Sequence, residues 1–123
     1  MKYFNEEQIS KIVSKLINDT RSGILEWRES DVGFELDAGE KIVGKAYFTE
    51  LNNRFLRIYK YKYKSYLDID KWSWGEGYKL EFTDINGNSE WKFPSANSIA
   101  DLYDSVTYQI SDVDNFLDDY LED

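Results

Sequence analysis

Asp84, Glu90 and Lys92 are the residues of this chain whose types and spacing come nearest to a reaction centre. An Asp at a strand end followed by Glu-x-Lys on the next strand matches the metal-dependent nuclease pattern: two carboxylates hold magnesium and a lysine orients the attacking water. Trp91 and Phe93 facing a core would turn Glu90 and Lys92 outward, however, where alternating opposite charges are ordinary surface. The same loop, Asp84-x-Asn86-Gly87-Asn88, opens like a calcium loop. It then places Ser89 where glycine is needed and Ser95 where a bidentate glutamate is needed, so a hairpin turn accounts for it better. Histidine and cysteine are both absent from the 123 residues, which removes Ser-His-Asp and Cys-His catalysis, zinc fingers and the usual catalytic zinc site.

Residues suited to binding are more plentiful. Tyr59-Lys60-Tyr61-Lys62-Tyr63-Lys64, preceded by Arg54 and Arg57, interleaves aromatics with cations, the combination that stacks bases and neutralises phosphates. Strand alternation sends the tyrosines to one face and the lysines to the other, which favours an aromatic face on the core and a solvated lysine face. Contact of Arg57, Lys60, Lys62 and Lys64 with phosphates is the alternative. Trp72 and Trp74, same-side neighbours in an extended chain among Asp68, Asp70 and Glu76, have the character of an interaction hot spot.

Charge is distributed unevenly. From Ser95 to Asp123 there are eight acids and no base, whereas the preceding 94 residues carry 16 acids against 15 bases. Nearly all of the net charge of -9 therefore sits in the last quarter. Asp101, Asp104, Asp112, Asp118, Asp119 and Glu122 avoid the apolar stripes there, and a face without lysine leaves an unneutralised field that steers toward a basic surface.

Elements to position these groups can be read from periodicity. Ile9, Ile12, Val13, Leu16 and Ile17 line one face of a helix, with Asn5 and Gln8 as a capping box and Gly23 as its stop. Alternation then predicts strands over 24–28, 33–38, 41–49, 54–64, 78–84 and 89–93. Ala38-Gly39-Glu40 and Asp84-Ile85-Asn86-Gly87-Asn88 have turn composition. The stretch 65–77 reads as a loop or an irregular strand. After Pro94, Ile99, Leu102, Tyr103, Val106 and Ile110 form one helical stripe, and Val113, Phe116, Leu117, Tyr120 and Leu121 form another, with Ser98 and Ser111 as expected caps.

Leu16-Ile17 through Thr20, Gly23, Leu25 and Trp27, the Arg57-x-Tyr59-x-Tyr61-x-Tyr63 strand, Trp91-x-Phe93-Pro94 and Val113-Asp114-Asn115-Phe116-Leu117 together resemble a group of small uncharacterised bacterial proteins. That resemblance spans most of the chain and implies no activity or site residues.

The expectation is one α+β domain over residues 1–123: an N-terminal helix, an antiparallel sheet of about five to six strands, and two C-terminal helices packed on one sheet face. An apolar fraction of 41% supplies a core, and the sequence has neither a membrane-spanning apolar run nor the apolar stretch of a secretory signal, as in a cytoplasmic protein. The expected function is non-enzymatic, without a cofactor: an inhibitor, immunity or regulatory protein, or a mimic of nucleic-acid charge. Its expected partner is a protein with a basic surface, met through Asp101, Asp104, Asp112, Asp118, Asp119, Glu122, Trp72 and Trp74. Direct nucleic-acid binding is the lesser expectation, and a homo-oligomer stays open.

Overall fold

The computed structural model describes residues 5–30 and 36–122. The first element is α1 (Glu6–Arg21), and its capping box forms as the sequence predicts: Asn5 Oδ1 accepts from Gln8 N at 2.8 Å while Gln8 Oε1 accepts from Asn5 N at 3.1 Å. Glu6 and Glu7 in the first turn and Arg21 in the last complement the helix dipole. Gly23, at φ +80°, carries the chain out of the helix in the left-handed conformation that a Cβ would disfavour.

Five antiparallel strands follow as a meander in the order β1-β2-β3-β4-β5: β1 (Arg28–Glu29), β2 (Glu40–Leu51), β3 (Arg54–Asp68), β4 (Lys71–Thr83) and β5 (Ser89–Lys92). Of the strand predicted over 24–28, only Arg28 pairs, because Leu25 and Trp27 are drawn into the core instead. Most of the strand predicted over 33–38 lies outside the described residues, and 36–38 are coil and turn. Glu40 N donates to Asp37 O at 3.0 Å, closing a turn at Ala38-Gly39. The β2–β3 turn is made by Asn52 and Asn53 at φ +52° and +64°, the side chains best suited to left-handed backbone after glycine.

The β3–β4 hairpin is the longest pairing in the sheet, running from Phe55↔Thr83 to Asp68↔Lys71. Residues 65–77, unresolved between loop and strand by pattern, are strand except for the turn at Ile69-Asp70. Cross-strand glycines explain how so many rings fit. Tyr61 is opposite Gly77 and Tyr63 opposite Gly75, and each ring lies over the glycine: a Cβ on Gly77 would meet the Tyr61 ring at 2.9 Å, and one on Gly75 would meet that of Tyr63 closer still.

One sheet face carries the core. Leu56, Ile58 and Leu80 pack there with Ile9, Val13 and Leu16 of α1, Leu25, Trp27, Phe93, and Ile99, Leu102 and Val106 of α2 (Asn97–Ile110). A polar latch joins the helices, since Gln109 donates to the carbonyls of Thr20 and Leu25 and accepts from Trp27 N, while the Trp27 indole donates to Thr20 Oγ1. Trp91, expected in the core beside Phe93, touches it but stays at the rim.

The expected caps of the last two helices do not form. Ala96 precedes α2 without a side-chain bond, and Ser98 lies inside the helix. Ser111 ends α2, and Asp112 at φ +54° bends the chain into α3 (Val113–Leu121). The stripe of α2 enters the core as its periodicity requires, whereas no side chain of α3 is buried. Among the described residues, no helix is long and apolar enough to cross a membrane.

Candidate functional site

Two exposed surfaces stand out, and each gathers residues that the sequence places among candidates. The first is the acidic end. Asp101 and Asp104 on α2, and Asp112, Asp114, Asp118, Asp119 and Glu122 around α3, are all exposed, and no salt bridge among the described residues involves any of them. Their contacts are local: Asn115 Nδ2 donates to the Asp112 carboxylate at 2.9 Å, and the Tyr108 hydroxyl donates to Asp114 at 2.5 Å. That bond holds the Tyr108 proton and raises its pKa.

Alongside these carboxylates α3 exposes its apolar stripe, which the expected packing of both C-terminal helices on the sheet would have covered. Phe116 is 62% exposed and Tyr120 76%, their rings stacked at 5.8 Å, and Leu117 and Leu121 are exposed beside them. The helical spacing is the signal for the stripe; which surface the stripe meets is not encoded in it.

The second surface lies on the β3–β4 hairpin. Lys60, Lys62 and Lys64 share the face of Leu56 and Ile58, and this face emerges from under the helices toward the hairpin end. Across the ladder the same face presents Trp72 and Trp74, 46% and 39% exposed, in an edge-to-face pair at 5.2 Å. Lys62 Nζ sits 4.6 Å from the Trp74 ring centroid, Lys64 Nζ 4.7 Å from that of Trp72, and Lys41 of β2 lies 5.9 Å from Trp74. Ammonium ions at these distances feel the negative face of the indole. Lys60 is occupied differently, bridging to Glu76 at 3.2 Å, and that hydrogen bond raises its pKa. Lys41, Lys62 and Lys64 have no carboxylate within bridging distance among the described residues.

Arg57 is not on that face. It is 3% exposed on the opposite side of the sheet, donating through Nε to Glu81 Oε1 at 2.8 Å, again to Glu81 through Nη2, and through Nη1 to Gly87 O at 2.7 Å. Ser89 Oγ completes the network by donating to Glu81 Oε2. The expectation that Arg57 joins the lysines on phosphates therefore gives way to a buried pair tying β3, β4 and the β4–β5 turn together. Tyr59, stacked beside it, has its hydroxyl pKa pushed well up by burial and by the Glu81 charge, with Arg57 opposing. The expectation of an aromatic face on the core is reversed: the lysines share the core-side face, while Tyr59, Tyr61 and Tyr63 alternate with Leu56 and Ile58 and lie on the side of the sheet opposite the helices, with Tyr61 half-buried and Tyr63 more open. A cleft of about 360 Å³ there is lined by Arg57, Lys79, Glu81 and Lys92, with Lys79 held by Glu40 at 2.6 Å and Lys92 3.8 Å from Asp37.

Asp84 is engaged by its own turn. Its Oδ1 accepts from Asn86 N and Asn88 N, both at 2.9 Å, and Oδ2 accepts from Asn88 Nδ2. The Asn88 bonds hold its carboxyl below the usual carboxylate range. Among the described residues, no group of three or more acidic side chains converges as a metal site would require.

Comparison with family models, curated proteins and solved structures finds no match for this chain.

Proposed function

We propose that this is a non-enzymatic binding protein whose acidic C-terminal helices dock on a protein with a basic surface, occluding or bridging it as an inhibitor, immunity protein or regulator would. The observation that carries this reading is α3, a helix with no buried side chain whose exposed Phe116, Leu117, Tyr120 and Leu121 lie among carboxylates without a cation partner among the described residues. An amphipathic helix of that kind fits an apolar groove with a basic rim: the field brings the partner in and the rings anchor it. Contiguous exposed apolar groups on a small protein are costly to leave in water unless something covers them.

Affinity capture with the protein as bait tests it. A partner held at low salt should be released by Asp104→Lys, Asp118→Lys and Asp119→Lys together. Phe116→Ala with Tyr120→Ala should weaken it by about thirty-fold or more, the cost of an anchor worth ~2 kcal/mol. Identical sets of partners for wild type and both variants would overturn the reading.

A further inference from the structure

We infer that the Lys41, Lys62, Lys64, Trp72 and Trp74 face is a second binding surface, independent of α3, and that its ligand is single-stranded nucleic acid. The hairpin repeats one unit twice, a lysine seated on an indole: Lys62 on Trp74 and Lys64 on Trp72. Each unit supplies what one nucleotide needs, a flat aromatic face for the base and an ammonium for its phosphate. The repeat follows from antiparallel pairing, which sets Lys64 opposite Trp74 and carries Lys62 and Trp72 to the flanking same-face positions, two residues away on each strand. Backbone positions two residues apart on a strand are separated by about 7 Å, so the two units lie along the strand direction, with the indoles in edge-to-face contact at 5.2 Å.

Charge complementarity selects the class of ligand. Lys41, Lys62 and Lys64 have no salt-bridge partner among the described residues, while Glu76, on the same face, bridges to Lys60. An acidic helix with exposed rings, such as α3 of a second copy with Phe116 and Tyr120, is the competing occupant, and the peptide arm of the test below separates it from a nucleic acid. In the unbound protein the lysines shield those faces, and binding moves each ammonium from ring to phosphate. The remainder of the molecule is negative and opposes the approach of any polyanion, so affinity depends on low salt.

The test is fluorescence anisotropy with a labelled oligothymidylate of about twelve nucleotides, a length within the usual single-strand site range, alongside tryptophan fluorescence. Binding should quench tryptophan emission and fall with salt with a log-log slope of about −2, as expected for three lysines on a single strand. Trp72→Ala and Trp74→Ala should each cost about 5- to 150-fold. Lys62→Glu with Lys64→Glu should abolish binding and, by leaving the indoles in place, gives a readout should the tryptophan variants fail to fold. No binding at about 20 mM salt would overturn the inference. So would binding unaffected by the lysine pair, duplex DNA bound as tightly, or capture of a peptide with the sequence of residues 112–122 in place of the oligonucleotide.

Discussion

At the scale of single residues, the buried Arg57–Glu81 pair is costly to break. With the two side chains 3% and 1% exposed, removing one partner strands a charge with no water to receive it. Arg57→Ala should therefore lower unfolding stability by about 3–5 kcal/mol, measured as a shift of the urea midpoint. A loss of less than about 1 kcal/mol would mean the pair is solvated. Asp84 gives a prediction in pH. Its pKa is depressed in the folded protein, so the stabilisation is fully present above the ordinary carboxylate range and is lost as pH falls from about 5 through the lowered value. Asp84→Asn should flatten the acid limb of a plot of thermal midpoint against pH, and an unchanged limb would assign acid sensitivity to other carboxylates.

At the scale of elements, α3 contributes surface and little stability. Ending the chain after Ser111 removes a helix without a buried side chain, so the unfolding free energy from urea titration should stay within the ~0.5 kcal/mol typical of surface changes while the binding proposed for α3 disappears. Substantial destabilisation would show that the helix braces the core. Legibility in the sequence follows the reach of each interaction. The α1 capping box and stripe could be read because every partner lies within four residues. The Asp84–Asn88 turn could be read for the same reason. Residues 65–77 could not, since Gly75 and Gly77 look like breaks until Tyr63 and Tyr61 are set across from them. The Asn52-Asn53 turn carried its signal in the open, two residues tolerant of left-handed backbone between alternating runs. Ser111 shows the opposite failure: its type suits a helix start, yet the chain uses it as a helix end.

At the scale of the whole molecule, the charge asymmetry was visible from composition, and the fold leaves its carboxylates exposed rather than pairing them with cations among the described residues. Capture through α3 should therefore weaken as salt rises toward about 0.15 M, where the screening length is roughly 8 Å, with the apolar anchors holding what remains. The Lys–Trp face was only half legible: its residue types could be seen, but Lys41 entered through β2 pairing and Arg57 left through burial.

The tyrosines resting on Gly75 and Gly77 tie the history of one strand to that of its neighbour. A methyl group arriving at position 75 or 77 must push aside the far end of the ring opposite, so these sites drift most easily in matched pairs. Descendants of this chain should tend to keep glycine facing tyrosine or lose both at once, and a lone alanine at either place would mark a ring swung out of its seat.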